Sequence, residues 1–282
     1  MALKTWLQLK DLLVSNVDPD LVSRIDDLPR KNLNEFGVDP FGYDPETIKL
    51  VAPLSVWLYR NYFRAQAYGL ENLPEGRFLL IANHSGQLPF DAMMIGTACL
   101  LDTDRPRLLR SMVERWSAEL PFVSSLFVRM GQVVGDPAVC RKLLESDEGV
   151  LVFPEGARGI NKLFAQRYKM TEFGHGFMRL ALETKSPIVP VALVGAEEQA
   201  PAVADIKPLA KAMGFPAFPL VLPQVVPLPL PVKYHIHFGA PMTFEGDPYD
   251  DDEIVGQHVK RVKNTIQRML QQGLNQRTGI FS

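Results

Sequence analysis

From residue 64 onward, short β-branched and aromatic runs alternate with stretches of helical periodicity, and this alternation restricts the fold more than any other feature. Residues 64–68, 78–82, 107–113, 132–134, 150–153, 188–194 and 234–238 read as strands. Residues 91–101, 137–145 and 174–184 read as helices, and from residue 253 the tail sets Ile254, Val255, Val259, Val262, Ile266, Met269 and Leu270 on one face of a closing helix. The pattern predicts an α/β fold with a mixed, largely parallel sheet flanked by helices.

The first sixty residues read as a helical preface, so the chain divides into a helical segment over 1–63 and an α/β domain over 64–282. In "YDPETIKLVAPLSVWLYRNYF", Asp44 is an expected N-cap, Pro45 the first helical residue and Pro53 a kink. Trp6, Trp57, Lys4 and Lys10 suit an interfacial, membrane-contacting helix or one packed on its own domain. A second unusual stretch, 212–232, carries no charge and six prolines at 216, 219, 223, 227, 229 and 231. Each proline removes a helical backbone donor, so the stretch is either a loop over the core or an apolar surface for lipid. No other apolar run is long enough to span a bilayer, and the lysine-interrupted N-terminus is not a secretory signal.

Composition narrows function. A formal net charge of -2, with 22% charged residues, lacks the broad basic footprint of a nucleic-acid binder. Cys99 and Cys140 stand too far apart for a CxxC pair and read as core thiols in a reducing compartment. There is no GxSxG elbow, no GxxxxGK[ST] loop and no HExxH helix. His235 and His237 alternate on one strand face, without the acidic or cysteine neighbours that a metal site needs.

Two apolar runs end in polar residues that packing does not require. "FLLIAN" leads into His84, with Asp91 seven positions on, and "VLVFPEGARG" leads into Glu155 and Arg158. An imidazole can accept a hydroxyl proton near neutral pH, and a carboxylate on its other nitrogen fixes the tautomer. The turn formers Gly86 and Pro89 let the chain bulge and start a helix at Asp91. The alternative is a loop histidine beside an ordinary N-cap. In the second stretch Gly156 and Gly159 allow close backbone approach, Arg158 offers a fork for phosphate or carboxylate, and Glu155 accepts from hydroxyls. Lys162, Arg167 and Lys169 read as solvated loop charges when taken alone.

Together these stretches resemble the four ordered motifs of the glycerolipid acyltransferases, the family that includes bacterial 1-acylglycerol-3-phosphate acyltransferases. "ANHSGQLPFD" resembles the first motif, "RMGQVVGD" at 129–136 the second, "FPEGARG" at 153–159 the third and "SPIVPVALVG" at 186–195 the fourth. The resemblance implies the glycerol-3-phosphate acyltransferase-like fold. It also implies a catalytic pair of His84 and Asp91, with substrate held by Asn83, Ser85, Gly86, Gly131, Glu155, Gly156, Arg158 and Lys162 and with Pro190 and Val191 on the acyl side. Backbone amides of the first and third motifs would stabilise an oxyanion.

Two departures qualify the match. Six residues separate His84 from Asp91 where the family usually has four, and Pro89 stands at the usual aspartate position, a form that resembles the monoacylglycerol-acyltransferase-like branch. The second motif commonly ends near an arginine that holds the acceptor's phosphate, whereas this chain has Gly135 and Asp136. The implied reaction moves a fatty acyl group from acyl-CoA or acyl-carrier protein, used as co-substrate without further cofactor, to a glycerolipid or lysophospholipid hydroxyl. Transfer to a neutral or non-glycerol acceptor on the same scaffold, or lipid binding without catalysis, stands as the alternative. Such an enzyme is expected in the cytoplasm, peripheral on the inner face of the cell membrane.

Overall fold

The computed structural model describes residues 17–28, 33–85, 89–113, 123–156, 159, 162–205, 219–221 and 229–282. Among them seven strands form one sheet: β1 (Gln66–Tyr68), β2 (Phe78–Ala82), β3 (Leu109–Val113), β4 (Val133–Val134), β5 (Gly149–Val152), β6 (Ile188–Val194) and β9 (His235–Phe238). Every run read as a strand lies in this sheet, with ends that agree to within two residues. The order across it is β1-β9-β6-β2-β5-β3-β4. β6, β2, β5, β3 and β4 are mutually parallel; β9 enters antiparallel to β6, and β1 pairs parallel with β9.

The central strands are buried on both faces, which is why they read as unbroken apolar runs rather than alternating ones. Side chains still alternate between two cores. Leu79 and Ile81 join Val150, Ile188 and Ala192 beneath three helices, α5 (Pro137–Glu145), α6 (Gly176–Thr184) and α7 (Asp252–Gln276). Phe78, Leu80 and Ala82 face α3 (Phe90–Leu101) on the other side, with Tyr59 and Phe63. The two cysteines fall in opposite cores, both free and buried.

The closing helix docks through Val255, Val259, Val262, Ile266 and Leu270. Each such fully buried side chain contributes about 1.5–3 kcal/mol of hydrophobic stabilisation. Ile254, expected on the same stripe, is 45% exposed because it sits in the first turn beside that face.

α1 (Pro19–Asp26), α2 (Pro45–Trp57) and α5 all begin with an aspartate N-cap followed by proline: Asp18–Pro19, Asp44–Pro45 and Asp136–Pro137. Each carboxylate accepts backbone amides of the first turn, and proline occupies the position whose amide needs no partner. α2 stays α-helical through Pro53 and changes geometry only in a π turn over Leu58–Tyr62. Leu21, Ile25, Ala52 and Leu100 form a small core that fastens α1 and α2 to α3. Leu54 and Trp57 nevertheless stay 60% and 50% exposed, beside α4 (Val123–Arg129), on which Val123, Leu126 and Val128 are also exposed. Trp6, Lys4 and Lys10 lie outside the described residues.

The proline-rich stretch contributes a strand that its composition concealed. β8 (Pro219–Val221) pairs antiparallel with β7 (Ala202–Asp205), with proline at the first strand position, where sheets tolerate it. Its far end is stapled to the fold by the Tyr62 hydroxyl donating to the Pro229 carbonyl and Arg64 donating to that of Pro231. No helix of the described residues is long and apolar enough to cross a membrane.

Candidate active site

Because β6, β2 and β5 are adjacent and parallel, their carboxyl ends lie side by side, and ligand crevices in α/β sheets form at such ends. The segments leaving them carry His84, Glu155 and Glu197.

His84 and Asp91 meet despite the longer spacing. His84 Nδ1 lies 2.6 Å from Asp91 Oδ2, with Asp91 wholly buried and the imidazole 18% exposed. The turn at Pro89 brings the chain back so that Asp91 falls in the first turn of α3, where an anion is favoured. Oδ2 also accepts the Ser85 amide at 3.0 Å and its hydroxyl at 3.3 Å, and Oδ1 accepts the Ala92 amide. With its oxygens serving as acceptors, Asp91 holds the ring proton on Nδ1 and leaves Nε2 as the acceptor. The imidazole stacks on Phe153, centroids 4.4 Å apart, which restricts its rotation.

Glu155 is buried, and its donors are internal. Oε1 accepts the His84 amide at 3.2 Å, and Oε2 accepts the Thr171 amide at 2.8 Å and hydroxyl at 3.0 Å. Lys162 Nζ lies 2.9 Å from Oε2 and reaches Glu197 Oε1 at 3.5 Å, its side chain only 7% exposed. Reading Lys162 as a solvated loop charge is therefore corrected, since two carboxylates draw it inward. Burial raises the Glu197 carboxyl above its ordinary value, and Lys162 partly offsets the rise.

The other expected site residues divide by position. Asn83 is fully buried: its Oδ1 accepts the Leu193 amide at 2.8 Å and its Nδ2 donates to the Leu193 carbonyl, so the side chain extends the β2–β6 ladder. Gly156 sits at φ 54 in the turn after β5. Gly131 lies at the opposite end of the sheet, because pairing of Met112 with Val133 sets it beside Arg110 at the amino end of β3. Pro190 and Val191 are buried within β6; the Pro190 carbonyl accepts the Gly239 amide where the β9 ladder stops. Gly86 and Arg158 lie outside the described residues. The amides of His84, Ser85, Gly156 and Gly159 are engaged by Glu155, Asp91, Phe153 and Gly156, so these four are not oxyanion donors here.

Asp136, at the place of the family's arginine, caps α5 through the amides of Ala138 and Val139. His235 and His237 stack against Tyr68 on one strand face, and no group of metal-ligating side chains occurs among the described residues. Met93 and Gly96, on the helix that carries Asp91, border an apolar cavity of about 90 Å³ between α2, α3 and β3.

Sequence reasoning missed Thr171, Tyr168 and Glu197. Glu197 had the same signal as the other two sites, since "VALVGAEE" is a buried strand ending in acids.

The sequence model described as Acyltransferase matches residues 64–194. An uncharacterised protein of Mycobacterium tuberculosis is 35% identical over 273 residues, 93% of this chain and 76% of its own length. A Gallus gallus protein described as a DGAT1/2-independent enzyme synthesizing storage lipids is 24% identical over 209 residues, 73% of this chain and 58% of its own length. Among solved structures, the 1-acyl-sn-glycerophosphate acyltransferase PlsC of Thermotoga maritima has the same fold, with a TM-score of 0.55 at 17% identity and 83% of each chain covered.

Proposed function

The chain belongs to the acyltransferase family, and from that premise we propose that it transfers a fatty acyl group from a thioester donor to a hydroxyl of a glycerolipid or lysophospholipid, with His84 as general base. The observation that carries this reading is the 2.6 Å contact between His84 Nδ1 and a wholly buried Asp91 at a strand's carboxyl end.

His84 Nε2 takes the acceptor's hydroxyl proton as the oxygen attacks the thioester carbonyl. Asp91 stabilises the imidazolium that forms. The tetrahedral intermediate collapses by breaking the carbon–sulfur bond, and the leaving thiolate of coenzyme A or acyl-carrier protein takes the proton back from His84. Substrate, ester product and thiol balance without a covalent acyl-enzyme. Exposed Leu54, Trp57 and Leu126 support peripheral contact with a lipid surface. Flotation with anionic liposomes tests that contact, and protein left wholly in the soluble fraction counts against it.

One observation favours a neutral acceptor as a second reading. Asp136 stands where the family's phosphate-holding arginine would be and is spent on a helix cap. The storage-lipid relative from Gallus gallus is in keeping with that.

Free-thiol release from palmitoyl-CoA tests both readings, with lysophosphatidic acid, glycerol 3-phosphate, monoacylglycerol and lysophosphatidylcholine as acceptors. Acceptor-dependent release that falls about 10²- to 10⁴-fold in His84→Ala and nearly as far in Asp91→Asn is expected. Release that persists in His84→Ala refutes the base, and silence with both acyl-CoA and acyl-carrier protein donors favours a lipid-binding protein.

A further inference from the structure

Asn83, His84 and Ser85, three consecutive residues leaving β2, are each held by a different buried carboxylate. Ser85 donates to Asp91 at 3.0 Å, the His84 amide to Glu155 at 3.2 Å, and Asn83 Nδ2 to Glu197 at 3.5 Å. The acids come from α3, from the loop after β5 and from the turn after β6. Glu155 supports His84 directly, and Lys162 ties Glu155 to Glu197.

Glu197 is itself fixed from behind. Its Oε2 accepts the Tyr168 amide at 2.9 Å, and Tyr168 adopts φ 64, a left-handed conformation uncommon for a bulky residue. The Tyr168 hydroxyl in turn accepts the Gly195 amide at 2.8 Å, closing a ring of contacts around the carboxylate. Gly195 must be glycine, since a Cβ there would meet the Lys233 carbonyl at 2.2 Å. A buried, partnered carboxylate held by so many constraints has the geometry of a support.

We propose that Glu197 is a positioning residue: with Lys162 it braces Glu155, which holds the His84 amide, and it adds a further contact to the Asn83 side chain that Leu193 already fixes, so that its loss lowers turnover while substrate binding stays intact. This rests on the reading of His84 as the base. Misplacing a reacting group by 1 Å costs about 10²-fold in rate, so Glu197→Ala is expected to lower kcat by about 10- to 100-fold with KM little changed. Glu197→Gln keeps an acceptor oxygen for Asn83 and falls between wild type and Glu197→Ala.

A second readout needs no substrate. Five histidines make selective imidazole labelling tractable, and His84→Gln identifies the low-field proton that His84 shares with Asp91. That resonance is expected to broaden into solvent exchange in Glu197→Ala and to persist in Glu197→Gln. If Glu197→Ala is insoluble, Glu197→Asp, which keeps the charge but shortens the reach to Asn83 and Lys162, is read in the same way. A raised KM at unchanged kcat overturns the proposal by making Glu197 a substrate ligand. An unchanged resonance and unchanged kcat overturn it outright. Wild-type protein inactive with every donor and acceptor sinks the transferase reading alone, and the resonance still decides the positioning.

Discussion

Gly159 is wedged between His84 and Glu155, and adding a single methyl group there tests whether sub-ångström geometry governs turnover. A Cβ on Gly159 would lie 2.9 Å from Glu155 Cβ and 2.9 Å from His84 Cβ, against 3.4 Å for ordinary contact. Gly159→Ala thus forces about 0.5 Å of separation on each neighbour, 3.4 minus 2.9. Neither neighbouring atom is the free end of a side chain, so backbone must move. The His84 amide bond to Glu155, now 3.2 Å, would open to roughly 3.7 Å and cease to be a hydrogen bond. Overpacking of this kind costs about 1–3 kcal/mol, which lowers Tm by roughly 2–10 °C in a chain of this size. Half the displacement that costs 10²-fold implies about a tenfold loss of kcat, with KM unchanged because no ligand-contacting group is altered. Thermal unfolding by circular dichroism and thiol release from palmitoyl-CoA measure the two effects separately. Gly256→Ala is the control: its Cβ meets His175 at an ordinary 3.6 Å inside α7, so it is expected to add about 0.5–1 kcal/mol of stability and leave kcat alone. Gly159→Ala with wild-type kcat and Tm refutes the reasoning.

Arg110, buried at the far end of the sheet, is paired with Asp39 and with Glu148 at 2.8 Å. Arg110→Met strands both acids, so about 3–5 kcal/mol, on the order of 10 °C in Tm, is expected to be lost while kcat below the transition is unchanged. Burial pushes the Cys140 thiol up to about 11 and Cys99 higher still, so neither is expected to react with Ellman's reagent at mildly alkaline pH until the chain is unfolded in guanidinium. Burial holds His235 and His237 below their ordinary 6.5. The unfolded chain therefore takes up protons first, so stability is complete above 6.5 and falls as pH drops through the depressed values, a slope that His237→Gln should flatten in urea midpoints.

How far the sequence could be read depended on whether a residue's partners were near it in the chain. β2 and β6 bury every side chain, so their apolar runs declared them as strands. β7 and β8 did not, because a three-residue strand begun by proline looks like loop. Asp91 was legible because its partner is seven residues away. Glu197 was not, because the Lys162 and Asn83 that it meets stand 35 and 114 positions back. Motif order also said nothing about which end of a strand a residue occupies, and Gly131 belongs to the end away from His84.

The three grips on residues 83–85 also set an order in time. Their acids stand 6, 71 and 114 positions downstream of the residues they hold. A chain emerging from the ribosome completes β2 early, yet the three acids that hold residues 83–85 come together only once the residues after β6 have been synthesised and folded back. A fragment that stops short of Glu197 would carry the His84–Asp91 pair without the frame that aims it.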